Sequence, residues 1–409
     1  MRSLLHLARY QNGRAFGSQE LGQVGVPIVR IRQLVDPAAD IDYFDGYVHP
    51  RNVIDNGDLI FSWSGSLVVR LWDRGQAALN QHLFKVLPAY DVDKRWLRWV
   101  LEGSMPRFLG LMHGSAMTHL TSNMLRDVKV DVPSLDEQRR IADFLDDEMD
   151  HISKASSAHQ RLRATLAERR FAFVHHAVTG AHIPRARVAS DLGWLSSLPS
   201  GWRTVPLKYV AKLGSGHTPS RTVSEYWKDC NIPWISLFDV GRMRDVRQEC
   251  MTNTSQQISE LGMANSSACL HPAGTVVLSR TASVGFSTIM GTNMAVSQHF
   301  VTWTCGPRLL PEYLLFLLRS MSQYFESVQV GTTNVTVFMP DLHSIRIPLP
   351  SVVEQRSIVE EIHTRTGRID ALDDVLKRQI ALLEERRQAL VTAAVNGQVG
   401  VTTTRGVEV

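Results

Sequence analysis

Residues Pro133 to Gly180 read PSLDEQRRIADFLDDEMDHISKASSAHQRLRATLAERRFAFVHHAVTG, and residues Pro350 to Gly397 read PSVVEQRSIVEEIHTRTGRIDALDDVLKRQIALLEERRQALVTAAVNG. The second stretch is the first displaced by 217 positions, with 18 of 48 pairs identical and no gap. Unrelated helices of similar composition do not match so well. The chain is therefore a duplication, and internal repetition governs the architecture before any single element does.

Each copy predicts one long helix. Ser134-x-x-Glu137 and Ser351-x-x-Glu354 are capping boxes, in which the hydroxyl accepts a first-turn N–H and the carboxylate reaches back. Pro133 and Pro350 end extended chain just before them, and Gly180 and Gly397 suit a left-handed C-terminal cap. In the second copy Ile358, Ile362, Ile369, Leu372, Leu376, Leu383 and Leu390 follow the spacing of a coiled-coil seam, with Arg365, Gln379 and Arg387 in polar slots. The first copy has a looser seam of Ile141, Leu145, Ile152, Leu162, Leu166, Phe173 and Ala177. Roughly 40 helical residues span about 60 Å. A surface helix on a globular core averages only about 11 residues, so the spacing favours two rods paired antiparallel.

Composition sets the outer bounds. The 409 residues suffice for more than one core, with 44% hydrophobic residues and a mean hydropathy of −0.10. No run of about 18 apolar residues exists, and the N-terminus lacks a secretory signature, which predicts a soluble cytoplasmic protein with no membrane partner. Cys230, Cys250, Cys269 and Cys305 show no C-x-x-C spacing and read as ordinary thiols. The net charge of +4 divides unevenly: residues 1–132 carry 15 basic and 13 acidic side chains, and residues 194–349 carry 12 and 9. The helical segments are near neutral, with 9 of each sign over 133–193 and 8 basic against 9 acidic over 350–409. Slightly basic domains held on neutral rods suit contact with a polyanion.

Working outward, the repeat continues into the globular segments. Gly57, Ser62, Gln81, His82, Leu97, Gly114 and Leu125 fall on Gly274, Ser279, Gln298, His299, Leu314, Gly331 and Leu342 at the same displacement of 217. Nearer the start a displacement of 203 aligns Leu4, Ala8 and Gly13 with Leu207, Ala211 and Gly216. Gly25 to Ile31 and Gly57 to Gly65 read as strands ending in turns, and Arg95 to Leu101 as a helix. The helices keep much identity, whereas the globular copies keep turns, apolar positions and a Gln-His pair. One pair of elements does the same work twice, and the other does related work on different targets.

The residues offer no active site. An Asn- or Asp-Pro-Pro-aromatic stretch and a G-x-x-x-x-G-K-[ST] loop are both absent, and Gly214 to Ser220 reads as a strand-connecting turn. His175 and His176, at a helix C-terminus, suit a charge role there better than a metal.

Two diverged domains alternate with two helical segments, each opened by a Pro-x-x-x-Glu-Gln-Arg-x-Ile phrase at Pro133–Ile141 and Pro350–Ile358. Ile345 to Pro350, Leu198-Pro-Ser-Gly-Trp202, Gly214 to Pro219, Asn80-Gln-His82, Ser297-Gln-His299 and Tyr313 to Arg319 add further phrases. In this order, over essentially the whole chain, they resemble the specificity subunit of a type I restriction–modification system. The resemblance implies an α+β chain: two duplicated mixed target-recognition domains, separated and joined by two long helices pairing as an antiparallel coiled coil. The boundaries are 1–132 for the first recognition domain, 133–180 for the central helical region and 181–193 for a linker. The second recognition domain is 194–349, the C-terminal helical region 350–397 and the tail 398–409.

It further implies a subunit without chemistry of its own, acting in DNA methylation and restriction. Each domain would read one half of a bipartite, gapped site in double-stranded DNA. The helical pair would set the spacing and dock two methyltransferase subunits, with restriction or translocase subunits joining in some complexes. S-adenosylmethionine would reside on the methyltransferase partner, and ATP and magnesium on a restriction partner, leaving no cofactor or metal on this chain. Base edges are read by paired donors and acceptors on polar loops. The candidates are Arg14, Ser62, Ser64, Ser115, Thr118 and His119 in the first domain. In the second they are His217, Thr218, Ser220, Arg221, Arg280, Thr281, Thr332, Thr333, Asn334 and Thr336. Gln81-His82 and Gln298-His299 occur in both copies, which suits structural or phosphate-positioning work. Glu137, Gln138, Arg139, Glu354, Gln355 and Arg356, the helix signature, are the candidates for partner docking.

Two other classes fit less well: a stand-alone duplex DNA-binding regulator, disfavoured by the small net charge, and a protein-binding coiled-coil scaffold, disfavoured by the diverged domains. The first copy begins at Met1 about where Arg203 or Thr204 falls in the second, so it lacks the opening segment from Gly193, and a start upstream of Met1 stays open.

Overall fold

The computed structural model describes residues 1–113, 119–330 and 335–398. Ser115, Thr118, Thr332, Thr333 and Asn334 lie outside the described residues. The chain divides into two compact units, Met1–Gln160 with the chain from Lys377, and Arg161–Leu376. Each unit holds one mixed globular domain and a stretch of both long helices.

The long helices run Leu135–Val178 and Val352–Val395, 44 residues each. Ser134 Oγ accepts the Glu137 N–H (3.3 Å), and Ser351 Oγ accepts the Glu354 N–H (3.3 Å) while Glu354 accepts the Ser351 N–H (3.0 Å). At the far ends Gly180 and Gly397 take φ of +64° and +68°. Behind them Ala181 donates to His176 O and Gln398 to Ala393 O, both at 2.9 Å, so both helices close in the same way.

Burial explains how these helices pair. In the first unit Ile141, Ala142, Leu145, Met149 and Ile152 share a core with Val391, Ala394 and Val395. In the second, Val174, Ala177 and Val178 share one with Ile358, Val359 and Ile362. In each unit the start of one helix meets the end of the other, which is antiparallel packing. Ion pairs follow the same sense: Arg386 to Glu148 at 3.0 Å, Arg163 to Asp373 at 2.6 Å and Arg170 to Asp370 at 3.1 Å.

The expected seam is displaced by one residue midway. Leu372 is 56% exposed and Leu162 48%, while Thr366 is buried and Asp373 half-buried. Arg365 and Gln379 are exposed rather than seated in the seam. Thr366 donates to Ile362 O (2.8 Å), and Asp373 holds Arg163. Polar side chains occupy the contact at this level, so apolar spacing alone points to the neighbouring leucine.

The duplication extends to the sheets. In the first unit one sheet orders the strands Ala8–Asn12, Leu83–Pro88, Leu59–Ser62 and Val69–Leu71, and a second orders Asp42–Phe44, Val26–Val29, Ala77–Leu79 and Val53–Ile54. The second unit repeats the first order with Ala211–Ser215, Phe300–Cys305, Val276–Ser279 and Ser287–Met290, adding Cys250–Met251 at the edge. It repeats the other with Gln256–Ile258, Ile232–Ile235 and Ala295–Val296. Leu59–Ser62 and Val276–Ser279 are buried along their whole length, as befits central strands covered on both faces. A Cβ on Gly13 would sit 2.2 Å from Leu79 O, and one on Gly216 would sit 1.7 Å from Val296 O. Both copies therefore need glycine where the chain leaves the first strand and crosses the second sheet.

A buried glutamine joins each domain to its helix. Gln138 Oε1 accepts the Asp93 N–H (2.7 Å), while Nε2 donates to Asp91 O (3.0 Å) and Pro133 O (2.9 Å). Gln355 Oε1 accepts the Leu310 N–H (2.8 Å), while Nε2 donates to Arg308 O and Pro350 O (both 2.9 Å). Asp93 and Leu310 are the N-caps of the short helices Lys94–Gly103 and Pro311–Ser320, whose apolar faces pack into the two domain cores. Gln138 and Gln355 are 0% exposed, so neither can dock a partner. Expecting them at an interface was wrong because their partners lie 45 residues upstream.

Candidate nucleic-acid interface

In the first unit the strand Leu59–Ser62 runs out into Trp63-Ser64-Gly65, beside Asn80-Gln81-His82, which follows Ala77–Leu79. The Trp63 indole N–H donates to Gln81 O (3.0 Å) and its backbone N–H to His82 O (3.2 Å). Ser64 Oγ shares a hydrogen bond with His82 Nδ1 (2.9 Å), and Ser64 forms a backbone bridge with His119. The Trp63 ring lies 5.6 Å from that of His82 and 5.9 Å from that of His119. Arg14, bridged to Asn80, stacks its guanidinium over Phe44 (4.5 Å) and Phe16 (5.0 Å) and pairs with Glu20.

The second unit builds the same arrangement with different side chains. Arg280 stands where Trp63 stands: its Nε donates to Gln298 O (3.1 Å) and its backbone N–H to His299 O (2.9 Å). Thr281 forms a bridge with Thr336, as Ser64 does with His119. The Thr218 hydroxyl donates to Gln298 Oε1 (2.5 Å), and His217 O accepts the Trp234 indole N–H (3.2 Å). Arg221 lies over Trp227 (4.6 Å) and donates to Gln256 Oε1 (3.3 Å). Ser220 Oγ pairs with Thr222 Oγ1 (2.8 Å). Arg14 and Ser64 in the first domain and Thr218 and Arg280 in the second thus contact the Gln-His turn or the residue before it, whereas Ser220 and Arg221 contact Thr222, Trp227 and Gln256 instead. Both turns are held by a side-chain donor on the glutamine's carbonyl.

Ser62 does not fit as a base reader, and the environments of Arg280 and His175 bear on their expected roles. Ser62 is 0% exposed, with its hydroxyl donating to Ser66 O (2.6 Å) and accepting the Val68 N–H (2.6 Å). It ends a fully buried strand, and the flanking glycine gave a false sign of exposure. Arg280, half-buried, also donates through Nη1 to Val337 O (3.2 Å), so two of its guanidinium nitrogens are engaged with the loop's own carbonyls. His175 is half-buried and stacked on Phe171, and burial lowers its pKa below the ordinary value. Burial thus works against the helix-end charge expected of it. By contrast Glu137, Arg139 and Arg356 are exposed, Arg139 lies 3.4 Å from Asp136, and Glu354 pairs with Arg185 (2.7 Å). Arg30, Arg32 and Asp42, and Leu237 and Phe238, carry no motif in the sequence. They fall where the two copies differ in length, so no single displacement aligned them.

A family model described as the type I restriction modification DNA specificity domain matches residues 2–158 and 199–388. The chain belongs to that family. The EcoBI specificity subunit of Escherichia coli is 22% identical over 97% of this chain and 85% of its own length. The MjaIX specificity subunit of Methanocaldococcus jannaschii is 27% identical over 48% of this chain and 43% of its own. Among solved structures, a chain from work on complex assembly and conformational transition of the type I R-M system matches with a TM-score of 0.71, 20% identity and 97% of each chain covered. The HsdS subunit of Thermoanaerobacter tengcongensis matches with a TM-score of 0.53 and 20% identity over 97% of this chain and 96% of that one. Type I specificity subunits are the non-catalytic, DNA-recognising parts of their enzymes. Among the described residues, no helix is long and apolar enough to cross a membrane.

Proposed function

We propose that this chain reads a bipartite, gapped sequence in double-stranded DNA, one half-site per globular domain, for a type I restriction–modification complex. The observation that carries the reading is the repeated Gln-His turn. One scaffold, braced at one carbonyl, sets Ser64 and His119 beside the turn in the first domain and Thr281 and Thr336 at the equivalent positions in the second. A fixed frame with exchanged polar side chains is what two readers of different half-sites require. The recognition domains are 1–132 and 194–349; the segments 133–180 and 350–397 set their spacing and dock two methyltransferase subunits. In support, exposed apolar side chains (Leu162, Phe171, Leu372, Val375) lie along the helices. An open groove of about 770 Å³ in the second unit is lined by Arg169, Phe173, Glu361, Arg365 and Arg368. The chain works in the cytoplasm, with S-adenosylmethionine on the methyltransferase and ATP and magnesium on any restriction subunit.

The chain should be purified alone and together with its host's methyltransferase subunits, and methyl transfer followed on DNA. Alone it transfers nothing; the complex methylates one two-part motif. Exchange of residues 194–349 for a related recognition domain changes one half of that motif and leaves the other. Methyl transfer by the isolated chain, or a change in both halves, would refute the reading.

A further inference from the structure

The two domains share a corner whose backbone is the same and whose side chains differ. Parallel pairing sets Val29 beside Leu79 and Ile235 beside Val296. The next bond is also shared: Asn80 donates to Val29 O (3.0 Å) and Ser297 to Ile235 O (2.9 Å). This register places Ile31, Arg32 and Gln33 opposite Leu237, Phe238 and Asp239.

The third residue of each trio turns inward and locks the corner. Gln33 is 0% exposed and accepts the Arg30 N–H through Oε1 (2.9 Å). Asp239, also 0% exposed, accepts the N–H groups of Ser236 (2.9 Å) and Ser255 (2.7 Å). Capped in this way, the second residue faces water: the Arg32 side chain is 47% exposed and Phe238 is 70% exposed. Each corner leaves its sheet beside the Gln-His turn. Ile31 Cδ1 is 3.8 Å from where a Cβ on Gly65 would stand, next to Ser64. In the second domain Arg244, just beyond the corner, donates to Ser283 in the loop that starts at Arg280 (3.5 Å).

An isolated exposed apolar residue is ordinary on a protein surface. Here its position gives it meaning, because the same locked site carries a guanidinium in one copy and a phenyl ring in the other. We propose that this corner is a specificity-determining position in each domain, an inference that rests on both domains being DNA readers. Arg32 shares the Asp42 carboxylate with Arg30 (2.9 and 3.0 Å), so it can leave for a base while Arg30 keeps the carboxylate neutralised. A guanidinium selects the paired acceptors of guanine, and a phenyl ring selects the methyl group of thymine. The first half-site therefore contains a guanine read by Arg32, and the second a thymine read by Phe238.

The test uses the chain in complex with its methyltransferase subunits, comparing wild type, Phe238→Ala, Phe238→Leu and Arg32→Ala by motif mapping of methylated DNA and by competition binding. Both side chains are exposed, so the thermal midpoints should stay at the wild-type value. Phe238→Ala should cut the preference at one thymine of the second half-site by about fivefold or more, with Phe238→Leu retaining part of it. Arg32→Ala should do the same at one guanine of the first half-site. Unchanged preferences in all three variants, with the wild-type complex still methylating a two-part motif, would overturn the corner while sparing the wider reading. A wild-type complex with no two-part motif would overturn both.

Discussion

Gln138 and Gln355 show what a single side chain can decide and what a sequence hides about it. Each carboxamide satisfies one buried N–H and two carbonyls, so Gln355→Leu would strand the Leu310 N–H together with the oxygens of Arg308 and Pro350. Unpaired buried groups cost about 1–3 kcal/mol each, partly offset by relaxation, so a loss on the order of 3 kcal/mol is expected for either glutamine. Denaturant midpoints at constant slope would check it. The phrase Glu-Gln-Arg was visible in the sequence, but the inward turn of its middle residue was not, because that depends on packing against a distant segment. Beside Gln355, Glu354 adds a pH response. Burial pushes its carboxyl up, but the hydroxyl and N–H of Ser351, then Arg185, outweigh that and hold it below the usual range. A carboxyl with a lowered folded pKa contributes fully above its unfolded value near 4.5 and loses that contribution as pH falls through the folded value. Acid titrations of Glu354→Gln should therefore show a shallower loss of stability below about pH 4.5 than wild type.

The long helices were the most legible elements: both glycine caps form and Ser351 with Glu354 makes the full capping box, while at the first helix only the Ser134 half of it is present among the described residues. The seam was legible at the start of the second helix, where Ile358 and Ile362 are buried; at its far end the expected Leu383 and Leu390 are only half-buried, and Val391 and Ala394 take the inward positions. Midway, Thr366 and Asp373 take the inward positions, and hydrophobic periodicity has no means of choosing a threonine or an ion-paired aspartate over the adjacent Leu372. The two positions should respond in opposite ways. Ile362→Glu places a charge at a site that is 0% exposed and should unfold the second unit. Leu372→Glu, at a site 56% exposed, should leave the circular dichroism and thermal midpoint of the chain unchanged and raise its solubility. If methyltransferase subunits dock along this face, Leu372→Glu should also weaken their co-purification. The globular domains were harder to read, because strands of two to six residues carry little periodicity and the recognition loops differ in length between the copies.

If the helical pair sets the distance between two half-sites, helix length becomes a measure of distance along DNA. Each helix contributes 44 residues, roughly 65 Å of rise, comparable to about 19 base pairs at about 3.4 Å each. Four residues added after Ala164 would lengthen the first helix by about 6 Å and rotate its far end by about 40°. The recognised bases should stay the same while the gap between them grows by one or two. Methylated sites sequenced from cells carrying the insertion would show it, and an altered half-site with an unaltered gap would mean that these helices do not set the spacing.

Both glutamine joints grip only main-chain atoms: an amide and a carbonyl at the start of the short helix, and the carbonyl of the proline that opens the long one. Such a joint is indifferent to the side chains of the domain it holds. A foreign domain can be seated there if it brings a helix N-terminus of the same backbone shape. Recombination between genes that share the Pro-x-x-x-Glu-Gln-Arg phrase would then exchange one globular domain in one step while leaving the helices, and whatever they hold, unchanged.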